Sequence, residues 1–222
     1  MNIILPQIDY VFDCSGDRCS SIIIENQNAF YNIVTDICNQ TAGEEGQSVL
    51  SEDNKILSIA KYTELISQFF PFDINQKNLL TKITARMQHI AVDESHYMRT
   101  NELMGLLERY FMELSVEMVG NLDFPKVTAD AMIKASGIHI DDLYDNLGEK
   151  LLDYFELVQE YDERKLFVLV NVRSYISDAE MEMFLESVLA REIQILMLEG
   201  SEHSLLENEK RHIVDADMCV IC

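Results

Sequence analysis

Carboxylate side chains gather at two places in the middle of the chain. The first group surrounds a break at Gly120 and consists of Glu113, Glu117 and Asp123. The second group consists of Asp141, Asp142 and Asp145. Oxygen donors of this kind are the ligands that Ca²⁺ prefers, but the chain has no twelve-residue EF-hand loop. Acidic residues at the start of a helix also complement its dipole, and this explanation is favoured for Asp141 and Asp142.

One stretch is free of acidic residues although the protein as a whole is strongly acidic. Residues 74–92 contain no Asp or Glu and carry Lys77, Lys82, Arg86 and His89. At 100° per residue, the last three lie within about 60° of one another on a helix. This predicts a local positive edge suited to a polyanion. A sparser second set consists of Lys126 and Lys134. The same pattern is also typical of an ordinary solvated helix face.

The sequence lacks the motifs of nucleotide-binding and hydrolytic enzymes. A phosphate loop needs glycines whose backbone N–H groups face the anion, and a lysine that reaches it. The turn after the predicted strand at residues 20–24 reads Glu25-Asn26-Gln27-Asn28, which has neither. A second predicted strand ends in Asn171, where an aspartate would orient Mg²⁺. A Gly-x-Ser-x-Gly elbow is also missing. We therefore predict no catalysis and no bound nucleotide.

The five cysteines do not define a disulfide framework, because their number is odd and a reducing compartment keeps thiols free. Cys14, Cys19, Cys219 and Cys222 would form a four-thiolate zinc site only if the two ends of the chain met. In a strand, side chains three residues apart point to opposite faces. Buried or edge thiols are therefore the favoured interpretation.

The composition predicts a globular protein with an unusual charge. Of 222 residues 48% are hydrophobic, and 39 acidic against 17 basic residues give a net charge of −22. Taken alone, that charge argues against nucleic acid. Charges more than about 10 Å apart are largely screened in physiological salt, however. Whether the protein can bind nucleic acid therefore depends on whether it has a local basic patch.

No targeting or membrane segment is evident. No apolar run approaches the roughly 20 residues that span a bilayer. No basic region precedes an apolar stretch at the N-terminus. We expect a cytoplasmic protein without membrane contact.

The elements that must position these residues change character along the chain. The first 75 residues are predicted to be rich in strands, among them one at 8–12, with a helix at 29–38 capped by residues 26–28. Long helices with apolar residues at helical spacing follow. After residue 160, a strand at 165–171, a helix from 177 to about 192 and a strand at 193–198 indicate a parallel sheet covered on both faces.

This change in pattern predicts a discontinuous domain. Residues 1–75 and 161–222 would form an α/β head, and residues 76–160, with a fourth helix from about 141 to 160, would form a helical leg inserted into it.

Several segments together resemble the small CRISPR-associated spacer-acquisition protein family of type II-A systems. The resemblance covers nearly the full chain and lies in the order and spacing of short motifs. These are Phe72-Asp-Ile-Asn75, Met132-Ile-Lys134-Ala-Ser-Gly137-Ile138, Lys165-Leu-Phe-Val-Leu-Val-Asn171, Ser177-Asp178-Ala-Glu180, Ile195-Leu-Met-Leu-Glu199 and His212-Ile-Val-Asp215-Ala-Asp217.

The resemblance implies a degenerate P-loop-NTPase-like parallel-sheet head with an inserted all-helical leg, and no catalysis. It implies a homotetrameric ring that threads linear double-stranded DNA from its ends through a basic hole. It also implies that calcium steadies the leg, and that the ring acts with the other CRISPR adaptation proteins and the effector nuclease. A ring would account for the net charge, because acidic outer surfaces stay distant from DNA while a few lysines of each subunit line the hole.

This interpretation assigns two sets of site residues. The residues expected to contact DNA phosphates without reading bases are Lys77, Lys82, Arg86, Lys126 and Lys134. The family's calcium ligands come from a carboxylate-rich loop, whereas the segment at 121–130 is shorter here and holds few acids. The remaining calcium candidates are Glu117, Asp123 and Asp130. The alternative function is a protein-interaction scaffold on an inactive NTPase fold, without direct DNA contact.

Overall fold

The computed structural model describes residues 1–221 in two compact units. We call Met1–Ile74 together with Asp142–Cys222 the α/β unit, and Asn75–Asp141 the helical unit. Cys222, one of the zinc candidates, lies outside the described residues. Cys14 and Cys19 are buried and Cys219 is exposed.

Strands and helices alternate over most of the α/β unit. The strands are β1 (Asn2–Ile4), β2 (Val11–Asp13), β3 (Cys19–Ile24), β4 (Val49–Glu52), β5 (Lys55–Leu57), β6 (Thr63–Ile66), β7 (Leu166–Val170), β8 (Gln194–Glu199), β9 (Glu209–Val214) and β10 (Val220–Ile221). The helices of both units are α1 (Gln27–Thr41), α2 (Ile59–Tyr62), α3 (Lys77–Ala91), α4 (Tyr97–Val116), α5 (Ala129–Ala135), α6 (Leu147–Tyr161) and α7 (Asp178–Ala190).

The central sheet has the order β10-β9-β3-β8-β7-β6. All its neighbouring pairs are parallel except β9 and the short edge strand β10. The predicted parallel sheet around β7, α7 and β8 is therefore confirmed. A second, antiparallel sheet has the order β2-β1-β4-β5.

Both faces of the central sheet are covered, which explains why β7 is apolar at every position. Leu166 and Val168 belong to a core cluster that includes residues of α1 and of the small sheet. Phe167 points to the other face, where its ring lies 4.1 Å from that of Phe155 on α6. The Phe155 ring in turn contacts Phe184 on α7. A strand buried on both faces reads as a continuous apolar run.

The fourth helix belongs to a different unit than the sequence predicts. We expected it to start near residue 141 and to lie in the helical leg, but α6 begins at Leu147 and lies in the α/β unit. Asn146 ends the preceding loop, since its side chain accepts a hydrogen bond from the Glu149 N–H at 2.9 Å. The apolar face of α6 is buried against α7 and β7, which helical periodicity alone cannot reveal.

Two strands also differ from expectation. β2 occupies Val11–Asp13 instead of residues 8–12. β9 was not predicted, because Glu209, Lys210 and Arg211 occupy its first three positions. Helix α1 agrees with prediction, and Asn26 is its N-cap. Among residues 1–221, no helix has the length and apolarity needed to cross a bilayer.

Candidate nucleic-acid interface

The predicted basic residues lie in the helical unit, where α3 and α5 border a groove of about 480 Å³. We call it the polar groove because most of its lining residues have polar side chains, although their apolar parts also contribute to its surface. Lys77, Thr81, Thr84 and Gln88 line it from α3. These positions lie within about 60° of one another on the helix. Lys134 lines the groove from α5, so two lysines from different helices face one space.

The start of α3 is fixed by Asn75. Its side-chain amide donates to the Ile140 carbonyl at 3.0 Å, and its Oδ1 accepts from the Ile140 N–H at 2.7 Å. This pair of hydrogen bonds joins the residue before α3 to the segment after α5. Lys77, two residues further on, is thereby held at the mouth of the groove.

Asp130 links the two walls of the groove. Its Oδ1 accepts from the Gln88 amide at 2.5 Å, and its Oδ2 lies 3.0 Å from the Lys134 ammonium. The side chains of Asp130 and Lys134 are more than half exposed, so this ion pair is weak in water. An incoming phosphate can therefore compete for Lys134.

The five predicted DNA-contacting residues do not converge on one face. Lys82 and Arg86 lie about 140° and 180° around α3 from Lys77, on the side away from the groove. Lys126 lies in the loop before α5 and lines a different groove. Helical spacing groups Lys82, Arg86 and His89, whereas the structure places Lys77 and Lys134 in the lining of one groove.

The three calcium candidates are not gathered into a site. Glu117 follows the last turn of α4, Asp123 lies in the loop after it, and Asp130 already accepts from Gln88 and Lys134. Throughout residues 1–221, no group of three or more His, Cys, Asp or Glu side chains is arranged to hold a metal ion. These residues do not fit the expected ion, and we derive no role for calcium.

The second groove of the helical unit is apolar and has a volume of about 610 Å³. Phe111 of α4 stacks on Phe124 of the loop at its edge, with ring centroids 5.8 Å apart. The loop is tied to α4 because Glu108 Oε1 accepts from the Val127 N–H at 3.0 Å. Further large apolar side chains of α4 are exposed. They include Tyr97, Met98, Leu103, Leu106, Tyr110, Met112, Leu114 and Val116.

Charge is divided very unequally between the two units. The helical unit carries 7 Lys and Arg and 9 Asp and Glu, a net charge of −2. The α/β unit carries 10 Lys and Arg and 30 Asp and Glu, a net charge of −20. Almost the whole negative charge therefore lies outside the unit that holds the basic residues.

The side chains of Asn26 and Asn171, which the sequence analysis considered as possible phosphate and Mg²⁺ positions, hydrogen-bond to the backbone of the chain itself. Asn26 Oδ1 accepts from the N–H groups of Asn28 and Ala29, both at 3.1 Å, and so caps the N-terminus of α1. Asn171 has a left-handed backbone conformation with φ of 57°. Its Oδ1 accepts from the Gly200 N–H at 2.8 Å.

The α/β unit contains a buried cluster of charged residues that the sequence did not predict. The Arg173 guanidinium donates to Glu209 at 3.2 Å, to Asp178 at 2.7 Å and to the Ser204 carbonyl at 3.1 Å. A second arginine, Arg211, donates to Glu209 at 3.0 Å. Arg173 and Glu209 are 36 residues apart, and no spacing rule connects them.

Glu199 lies at the edge of this cluster. Its Oε1 accepts from the Arg173 N–H at 3.2 Å, and its Oε2 lies 3.6 Å from His203 Nε2. Burial raises the pKa of Glu199 to about 7, and burial also lowers the pKa of His203. The cluster therefore contains a carboxyl group that is partly protonated near neutral pH.

Comparisons with known proteins place the chain among CRISPR-associated proteins. A family model described as CRISPR-associated protein (Cas_Csn2) matches residues 40–218. The CRISPR-associated protein Csn2 of Enterococcus faecalis is 21% identical over 202 residues, which cover 90% of this chain and 89% of the relative. The crystal structure of Stu0660 of Streptococcus thermophilus superposes with a TM-score of 0.58 at 13% identity, covering 95% of this chain and 74% of that one. The structural match shows a shared fold.

Proposed function

The chain belongs to the CRISPR-associated Csn2 family, and on that premise we propose that it assists spacer acquisition by binding linear double-stranded DNA. Binding is independent of sequence and involves no catalysis. The working form is a homotetrameric ring that receives DNA through its ends. It acts with the other CRISPR adaptation proteins and the effector nuclease.

The division of charge is the observation that carries the DNA assignment. A unit of net charge −20 repels a duplex, whereas a unit of net charge −2 with an acid-free helix does not. In this proposal DNA runs along the helical unit, and salt largely screens any charge of the α/β unit that lies more than about 10 Å from the duplex.

The polar groove supplies the contacts in this proposal. Lys77 and Lys134 offer ammonium groups to phosphates, and Gln88 lines the same groove. The hydroxyls of Thr81 and Thr84 donate within α3, to the carbonyls of Lys77 and Leu80 at 2.7 Å. Contacts of this type hold the phosphate backbone and do not distinguish bases.

The apolar surface of α4 supports assembly into a ring. Soluble monomers seldom expose contiguous apolar patches of more than a few hundred Å². A closed ring of four copies covers such surfaces by symmetry. It also multiplies weak contacts, because two lysines from each of four copies neutralise about eight phosphates.

In this proposal the α/β unit is a degenerate P-loop-like domain. The amide groups that would hold a phosphate at the start of α1 are capped by Asn26, and Asn171 is engaged with Gly200. Glu25 adds a negative charge at the same turn. These features favour a scaffold that does not bind nucleotide.

The direct test compares two doubly substituted proteins with the wild type. Lys77→Gln with Lys134→Gln removes both lysines of the polar groove. Lys55→Gln with Lys210→Gln removes the same charge from exposed positions of the α/β unit. Affinity for a linear duplex is measured by fluorescence anisotropy at low salt. We expect the groove variant to bind roughly 100-fold more weakly and the control to bind like the wild type.

Equal affinities of the groove variant and the wild type would remove Lys77 and Lys134 from the interface. A wild-type protein that binds no linear duplex at low salt would instead favour the scaffold function, in which the protein contacts only other proteins.

A further inference from the structure

Helices α6 and α7 form a second surface whose features suit a ligand other than DNA. They lie side by side on one face of the central sheet, and a groove of about 220 Å³ opens between them. The helices approach closely at Gly148, where an added Cβ would already be in van der Waals contact with the Cβ of Phe184, at 3.5 Å. The groove lies entirely within the α/β unit.

The groove has an apolar centre. Met183 of α7 lines it and is 61% exposed. The neighbouring lining residues Leu152 and Phe184 are buried and form the floor of the groove. A methionine side chain adapts its shape to different apolar partners, which makes it common at protein-docking surfaces.

A row of carboxylates on α6 lies beside this apolar centre, and its first member, Glu149, lines the groove. Glu149, Asp153, Glu156 and Glu160 follow one another on α6 at intervals that place them within about 60° around the helix. Among the described residues, Glu156 alone of these four has a cationic partner, Arg191. The α6 side of the groove is therefore negative, and most of its charge is uncompensated.

We propose that this groove docks a basic amphipathic helix of a partner protein. An apolar side chain of the partner helix enters beside Met183, and lysines or arginines of the same helix pair with the carboxylates of α6. Charge complementarity selects this occupant, because the α6 side of the groove repels nucleic acid and acidic proteins. The proposal is independent of DNA binding by the helical unit.

The test uses the full chain and a synthetic probe peptide. The probe is an amphipathic helix of about 16 residues with leucines on one face and lysines beside them. One variant, Met183→Gln, alters the apolar centre. A second, Glu149→Gln with Asp153→Asn and Glu160→Gln, neutralises the α6 side. The matched control, Asp17→Asn with Glu44→Gln and Glu45→Gln, removes the same charge from other exposed positions of the α/β unit.

We expect each groove variant to weaken the affinity for the peptide by about tenfold or more, and the control to weaken it by less than about threefold. Hydrogen exchange should show protection of α6 and α7 in the complex. Equal weakening by the control would show that only net charge attracts the peptide and would overturn the proposal. Wild-type affinity in both groove variants, or protection confined to another surface, would overturn it as well.

Discussion

The substitution Glu199→Gln should remove the contribution of this carboxyl group to the pH dependence of stability. Burial raises the pKa of this carboxyl from its ordinary value of 4.5 to about 7 in the folded protein. The folded state therefore binds the proton more tightly than the unfolded state, so the wild type loses stability as the pH rises from about 4.5 to 7. At about 1.4 kcal/mol per pH unit, the loss amounts to about 3 kcal/mol. Glutamine resembles the protonated acid and avoids this loss.

Urea denaturation at several pH values measures the effect. At pH 5 the two proteins should have similar free energies of unfolding, and at pH 8 the variant should be more stable by up to about 3 kcal/mol. His203 Nε2 lies 3.6 Å from Glu199 Oε2, so the same comparison in a His203→Gln background separates the two titrations. Glu207→Gln, at an exposed position between β8 and β9, is the control and should show no such trend. A difference between wild type and Glu199→Gln that stays constant from pH 5 to 8 would refute the reasoning.

Two further predictions concern the α/β unit. Arg173→Met should lower the free energy of unfolding, measured by urea denaturation, by about 3 kcal/mol. Glu209 and Asp178 lose the buried guanidinium that pairs with them, although Arg211 still pairs with Glu209. A loss under about 1 kcal/mol would contradict this expectation. Asn26→Ala should cost about 1 kcal/mol through loss of the α1 cap, with Asn26→Gly costing less, and neither should create ATP affinity.

The parts of the fold that the sequence predicted are those with a strong local signal. The apolar run of β7 and the capping residues before α7 identify their elements without reference to the rest of the chain. The Ser177 hydroxyl and the Glu180 carboxylate form the reciprocal cap that their spacing suggests.

The parts that it missed depend on contacts between distant residues. β9 begins with three charged residues, and only the contact of Glu209 with Arg173 and Arg211 allows a carboxylate to be buried there. Helical spacing correctly grouped Lys82 with Arg86 on one edge of α3. It could not show that Lys134, 57 residues beyond Lys77, faces the same groove.

The salt dependence of binding to linear and circular duplexes tests the central claim most directly. The account predicts that the affinity for linear DNA falls steeply with salt, with a slope of about −7 in a double-logarithmic plot, as about eight neutralised phosphates require. It also predicts that the same DNA binds much less tightly once closed into a circle. A slope near zero, or equal affinity for the circle and the linear form, would contradict a ring that receives DNA through its ends.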